Sequence, residues 1–149
     1  MPTVLVVDDD VGFAEGLAAC LRSRNYRTLV ESNGDAALVT MAGREVDVAL
    51  CDIVMPGLLG PGFLQKAQSV PGQEQLPVVF MSTLPEERVS RMFDGYAAYP
   101  RKPFTIAQAI ETLERVMERP RRGRAFVPSD ARSPLPPLPA SNRDAARER

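Results

Sequence analysis

Two short apolar runs constrain the fold of this chain more than any other feature: Thr3-Val4-Leu5-Val6-Val7 and residues 46–51, Val-Asp-Val-Ala-Leu-Cys. Neither alternates apolar with polar residues as a half-solvated strand does. Near-continuous apolar runs of strand length belong to parallel strands buried on both faces. Parallel neighbours require crossover connections, and the sequence supplies them as helix-period segments between the runs. After the first run, Phe13, Leu17, Cys20 and Leu21 recur at helical spacing. Residues 27–31 read as a second strand, and residues 35–42 as a helix with Ala37, Leu38 and Met41 inward. The third strand, residues 46–51, precedes a short helix at 62–69, with Pro61 tolerable at its first turn. A fourth strand at 77–81 and a helix at 86–93 follow. A weak fifth strand at 97–99 adjoins Pro100, whose missing N–H suits an edge position. The last helix opens on a capping box, Thr105 with Gln108, carries Ile106, Ile110, Leu113, Val116 and Met117 on one face, and stops at Arg119-Pro120. Five βα units in this order imply an α/β fold: a doubly wound parallel sheet with helices on both faces.

The ends of those strands carry the chemistry. In an open parallel sheet, ligands sit beyond the carboxyl ends of the strands, at a topological switch point. Asp8 and Asp9 follow the first run, Asp52 ends the third, Ser82 ends the fourth and Lys102 follows the fifth. Crowded carboxylates resist joint ionisation unless a cation lies among them, and hard oxygen ligands with room for water favour Mg²⁺ over softer metals. A cation beside Lys102, with a hydroxyl such as Ser82, suits a phosphoryl group. A carboxylate can accept that group as an acyl phosphate. Asp52 is the candidate acceptor, standing alone at its strand end, while Asp8 and Asp9 form the natural metal pair.

Composition excludes several alternatives. The 149 residues contain no histidine, which removes imidazole-based catalysis, the usual zinc sites and a histidine phosphocarrier. No apolar stretch approaches a bilayer span of roughly 20 residues, and the N-terminus lacks a signal-peptide pattern, so a cytoplasmic protein without a membrane partner is expected. Cys20 and Cys51 lie in apolar contexts without metal-ligand spacing and read as reduced, buried, structural thiols. The chain divides near Pro120: residues 1–120 carry 11 basic and 16 acidic side chains, residues 121–149 seven arginines and three acids. The second segment also holds Pro128, Pro134, Pro136, Pro137 and Pro139, with little periodic hydrophobicity. It is expected to be a disordered tail with a polyproline-like stretch, following a domain of residues 1–120.

Four segments resemble the receiver domain of response regulators: Val6-Val7-Asp8-Asp9; Asp52-x-x-Met55-Pro56-x-x-x-Gly60; Pro77-Val78-Val79-Phe80-Met81-Ser82; and Gly95-x-x-x-Tyr99-x-x-Lys102-Pro103-Phe104. Together they cover about the first 120 residues. The resemblance implies a flavodoxin-like, five-stranded sheet in the order 2-1-3-4-5. It implies phosphoryl acceptance by Asp52 from a phosphohistidine on a sensor histidine kinase or histidine phosphotransfer protein. Asp8, Asp9, Asp52 and the backbone carbonyl of Val54 would hold Mg²⁺, and Ser82 and Lys102 would contact the phosphoryl oxygens. Tyr99 would turn inward as Ser82 moves, switching a face that binds a downstream protein. Lys102-Pro103 matches a position where the family carries a cis peptide. The domain would catalyse only its own phosphorylation and dephosphorylation.

Departures from the family pattern also matter. The stretch from Ser82 to Lys102 is about two residues short, and Tyr96 stands where a small residue usually follows the glycine. Val54, Thr83 and Leu84 place bulk or apolar groups at the rim, which predicts a long-lived phosphoryl group. Taken singly, each site residue has a plainer reading: solvated loop acids, a polar strand terminus, a half-buried tyrosine, a surface lysine. Asp10 reads as a helix cap rather than a ligand. Met55 and Pro56 read as loop geometry.

A stand-alone receiver acting as a switch or phosphorelay intermediate is the expected function, with no nucleic-acid partner. Three alternatives remain. The receiver of a DNA-binding regulator lacks a helix-turn-helix pattern after Pro120; a phosphorylation-independent adaptor would dock through the proline segment. An aspartate-nucleophile phosphatase is suggested by Asp8-Asp9-Asp10-Val11, which resembles the start of haloacid-dehalogenase-type enzymes, although Gly12 departs from that pattern.

Overall fold

The computed structural model describes residues 1–54, 60–92 and 94–118. Within them the chain runs β1 (Thr3–Val7), α1 (Val11–Arg22), β2 (Arg27–Glu31), α2 (Gly34–Gly43), β3 (Val48–Asp52), α3 (Gly60–Ala67), β4 (Val78–Met81), α4 (Glu86–Ser90) and α5 (Ile106–Met117). The sheet is parallel throughout, in the order β2-β1-β3-β4. Sequence order therefore reverses at β1, and the carboxyl ends of β1 and β3 lie side by side, Val7 opposite Cys51.

Period-2 alternation divides the sheet into two apolar faces. Leu5, Val7, Ala49, Cys51, Val78 and Phe80 point to one side, where they pack with Ala37 and Met41 of α2, Phe63, Leu64 and Ala67 of α3, and Val89 of α4. Val4, Val6, Val48, Leu50, Val79 and Met81 point to the other, against Ala14, Leu17 and Leu21 of α1 and Ala109, Leu113 and Val116 of α5. Both faces are covered, so β1, the inner part of β3 and β4 are buried along their length. The absence of a polar alternate in those runs follows from this double coverage.

The expected fifth strand is not formed as a ladder. Residues 97–101 run beside β4 through two isolated parallel bridges, Val79 with Ala98 and Ser82 with Arg101. Pro100 lies between the bridges and has no N–H to offer a ladder. The segment is still anchored: Ala97 N–H donates to Val78 O at 2.7 Å, Phe80 N–H to Ala98 O at 3.1 Å, and Lys102 N–H to Ser82 O at 2.7 Å. Gly95, two residues before it, sits at φ +98°, a region closed to most side chains.

Other boundaries differ locally. The third strand starts at Val48 because Asp47 turns aside, its carboxylate accepting Thr3 N–H at 2.8 Å and its own N–H donating to Thr3 O at 2.9 Å. Helix α2 begins one residue early because Asn33 caps it, accepting Ala36 N–H at 2.8 Å. Helix α3 starts at Gly60 rather than residue 62, placing Pro61 in its first turn. Helix α4 ends at Ser90, whose hydroxyl donates to Glu87 O at 3.1 Å. The expected continuation is not formed: Arg91 and Met92 make a turn, with Met92 N–H donating to Val89 O at 2.9 Å, and Phe93 lies outside the described residues. Asp10 caps α1, accepting Phe13 N–H at 3.1 Å, and the Thr105–Gln108 capping box of α5 is complete.

Cys51 is buried, but Cys20 is exposed, correcting its expected burial. On α1, Ala14 and Ala18 take the inward positions with Leu17 and Leu21, which rotates Cys20 outward. The expected tail of residues 121–149, the stop at Pro120 and the loop positions Met55 and Pro56 lie outside the described residues.

Candidate functional site

The carboxyl ends of β1 and β3 bring three acids together. One carboxylate oxygen each from Asp8, Asp9 and Asp52 lies within 4.8 Å of the other two. Parallel register explains the meeting: Val7 pairs with Cys51, so the residues that follow each leave the sheet at one level. Asp8 is buried, with 1% of its side chain exposed, whereas Asp9 faces solvent. Asp8 Oδ1 accepts Asp10 N–H at 2.9 Å, which shapes the turn into α1. Asp52 is 13% exposed at its side chain and pairs in register with Met81.

Lys102 reaches this cluster from the segment after the β4 bridges. Its ammonium donates to Asp8 Oδ2 at 2.7 Å and stands 3.7 Å from Asp52 Oδ1. The second distance is beyond a hydrogen bond but close enough for strong Coulomb attraction. The bond from Lys102 N–H to Ser82 O fixes the base of the side chain to the end of β4, and Lys102-Pro103 is cis. A third neighbour of the ammonium was not recognised as a site residue from sequence: the Phe13 ring, 4.3 Å from Lys102 Nζ to the centroid. Phe13 reads from sequence as a helix-face residue. Its place in the turn straight after Asp8-Asp9-Asp10 is the signal that sets it over the site.

Burial pushes the Asp52 carboxyl up to about 6. Lys102 opposes that rise, Asp8 and Asp9 add to it, and the Ile53 backbone N–H lowers it. Three acids against one lysine leave the cluster short of positive charge, and Asp52 bears part of the cost. Cys51, directly before it, is raised well above the ordinary thiol value by burial, then by Asp52 and Asp8. That thiol is held neutral and inert as a nucleophile.

Ser82 and Tyr99 meet beside this cluster. Ser82 is buried, and its Oγ accepts Leu84 N–H at 3.2 Å. Tyr99 donates its phenolic O–H to Leu84 O at 2.8 Å. Burial raises the Tyr99 pKa, while a hydrogen bond with Ser82 works against that rise. The residues from 82 to 86 are tied further by Arg101 Nε–H to Thr83 O at 2.9 Å and by Tyr96 O–H to Glu86 Oε2 at 3.0 Å. Val54 lies two residues beyond Asp52 and is 61% exposed.

Four strand-end or post-strand residues thus form one charged group, Asp8, Asp9, Asp52 and Lys102, with the Ser82–Tyr99 pair on the neighbouring strand end. The family model for the response regulator receiver domain matches residues 4–114. The chain belongs to the response-regulator receiver family. Relatives of this receiver include the transcriptional activator protein PfeR of Pseudomonas aeruginosa, 35% identical over 83% of this chain and 40% of the activator. The probable transcriptional regulator ycf29 of Cyanophora paradoxa is 28% identical over 80% of this chain and 58% of that protein. The receiver thus spans about half the length of such relatives. Among solved structures, a response regulator from Chloroflexus aurantiacus superposes with a TM-score of 0.72 at 25% identity, covering 80% of this chain and all of that one. Chemotaxis protein CheY4 of Vibrio cholerae gives 0.70 at 25% identity, covering 78% and 98%.

Receivers bind Mg²⁺ through an aspartate cluster, and the donors here fit that ion. They are hard, anionic oxygens converging on one point. No helix among the described residues is long and apolar enough to cross a membrane.

Proposed function

We propose that this receiver accepts a phosphoryl group on Asp52 from a phosphohistidine of a sensor histidine kinase or histidine phosphotransfer protein. The observation that carries this reading is the convergence of the Asp8, Asp9 and Asp52 carboxylates with the Lys102 ammonium lying between Asp8 and Asp52. In the transfer, an Asp52 oxygen forms a bond to phosphorus as the P–N bond of the donor breaks. The imidazole nitrogen leaves with the bonding pair.

Asp8, Asp9, Asp52 and the Val54 carbonyl would hold Mg²⁺, which would supply charge compensation for the phosphoryl oxygens. Lys102 neutralises a further oxygen, and the Ser82 hydroxyl donates once released from its local bonds. Those bonds make Ser82 a switch. Its hydroxyl is engaged with Leu84 and Tyr99, so a move toward a phosphoryl group on Asp52 loosens Tyr99 and the segment leading into α4. The output is altered binding of a downstream protein at the face formed by α4, residues 97–101 and α5. The two isolated bridges that hold residues 97–101 beside β4 support the family order 2-1-3-4-5. The same reading expects a cytoplasmic domain whose partners are proteins rather than a membrane or nucleic acid. The domain turns over no substrate beyond its own phosphorylation and dephosphorylation.

The test is incubation with Mg²⁺ and a small acyl-phosphate donor, followed by intact-mass measurement. Wild type should gain one phosphoryl mass and Asp52→Asn none; no adduct on wild type would overturn the reading. A DNA-binding output is the second reading, favoured by the relatives named as transcriptional regulators. Salt-sensitive, sequence-specific DNA binding by the full chain would establish it over protein binding.

A further inference from the structure

We infer that Phe13 is a positioning residue for Lys102, its ring face holding the ammonium over the Asp8–Asp52 pair in readiness for phosphoryl oxygens. This rests on the phosphoryl-acceptor reading of Asp52 and adds to it a residue that acts through the lysine.

Three observations combine. The ammonium lies 4.3 Å from the ring centroid, within the range of a cation–π attraction. Lys102 is largely sheltered, with 17% of its side chain exposed, so water does not screen the contact as it would at an open surface. The ring itself is held. Asp10 caps the turn through Phe13 N–H, and the Phe104 ring meets Phe13 edge to face at 6.0 Å and 81°. Phe104 is two residues after Lys102, so the lysine and the ring that braces Phe13 arrive on the same segment.

The chemistry favours an aromatic ring over other groups here. A fourth acid would compete with the phosphoryl group for the ammonium. An aliphatic side chain would fill the space but exert no pull on the charge. The π face attracts the cation without occupying any one N–H, so the three donors stay available for Asp8, Asp52 and an incoming oxygen. Lys102 can then turn from Asp8 toward the phosphoryl group while keeping the same support at its back.

The experiment uses the full chain with Mg²⁺ and beryllofluoride, a phosphoryl mimic that adds reversibly to a carboxylate. It compares wild type with Phe13→Leu and Phe13→Tyr, each verified as folded by thermal melting, with Phe13→Met replacing the leucine variant should it not fold. Proton–carbon spectra should show the Lys102 Cε protons shifted upfield by the ring in wild type and Phe13→Tyr, and at ordinary positions in the aliphatic variant. Beryllofluoride should bind the aliphatic variant about five- to tenfold more weakly, with affinity restored in Phe13→Tyr, as loss and return of a sheltered cation–π contact require. Equal binding by wild type and the aliphatic variant, or no recovery in Phe13→Tyr, would overturn the role of Phe13 alone. Absence of saturable binding by wild type itself would overturn the reading of Asp52, and this inference with it.

Discussion

Asp52 is held at a cost. Its carboxyl sits at about 6 in the folded protein against an ordinary value near 3.8, so between those values the folded state binds a proton that the unfolded state has lost. Stability through this residue therefore falls as pH rises from about 4 to 6, and the penalty is fully present above that window. At pH 7, Asp52→Asn should stabilise the metal-free domain by ~1–2 kcal/mol, allowing for partial hydration of the carboxylate. Chemical denaturation at several pH values checks this: the gain should shrink on acidification through about 6, and a constant gain would refute the linkage. The rim supplies a second residue-level prediction. Val54 is exposed and Thr83 lies on the surface beside Ser82, so neither is fixed by packing. Val54→Asn should introduce a group able to orient attacking water, and Thr83→Ala should open the approach. Either should speed loss of phosphate from Asp52 several-fold, to about tenfold. Phosphate release from the isolated phosphoprotein measures it, and unchanged lifetimes would remove the rim from the account. The convergence of Asp8, Asp9, Asp52 and Lys102 was legible in the sequence because strand ends in a parallel sheet share one edge. The contact of the Phe13 ring with Lys102 was not legible, because an apolar residue at helical spacing carries no sign of which group its ring will face.

At the scale of elements, the departures in the family pattern concern α4. The helix is five residues long, and the Tyr96 ring lies fully inside, contacting Phe80 at 5.6 Å and Tyr99 at 6.0 Å. An aromatic side chain thus fills core volume next to a short helix, and its hydroxyl reaches Glu86 at the start of that helix. Packing and hydrogen bonding separate by mutation: Tyr96→Phe should cost about 1 kcal/mol, Tyr96→Ala roughly 3–5 kcal/mol. Urea unfolding of both variants decides whether the ring or the hydroxyl anchors α4. Comparable losses would contradict the burial argument. Helix α5 was legible to the residue at its start, because a capping box has a fixed spacing and a hydrogen-bond rationale. The fifth strand was legible only as a segment. Ala97 and Ala98 carry little β signal, and Pro100 removes a donor, so pairing there depends on β4 accepting it rather than on local preference.

Across the whole molecule, the sheet order places negative charge where β1 and β3 end, and the fold must tolerate it before any ligand arrives. Helices on both faces contribute the apolar burial that makes this possible, and Lys102 offsets only part of the excess. A divalent cation bound by these acids should therefore stabilise the entire domain, since the unfolded chain has no such cluster. Mg²⁺ at about 100 times its dissociation constant should add ~2.7 kcal/mol by mass action. The same ion should reverse the pH response. Without it, acidification from pH 7 toward 5 relieves the strain on Asp52 and raises the melting temperature; with it, protons compete for the ligand oxygens and the same acidification lowers the gain. Asp9→Asn tests the assignment most cleanly, because Asp9 is exposed and its replacement should leave the metal-free fold intact. Melting curves with and without Mg²⁺ at both pH values should show the shift in wild type and most of it lost in Asp9→Asn. A full Mg²⁺ shift in that variant would place the ion elsewhere.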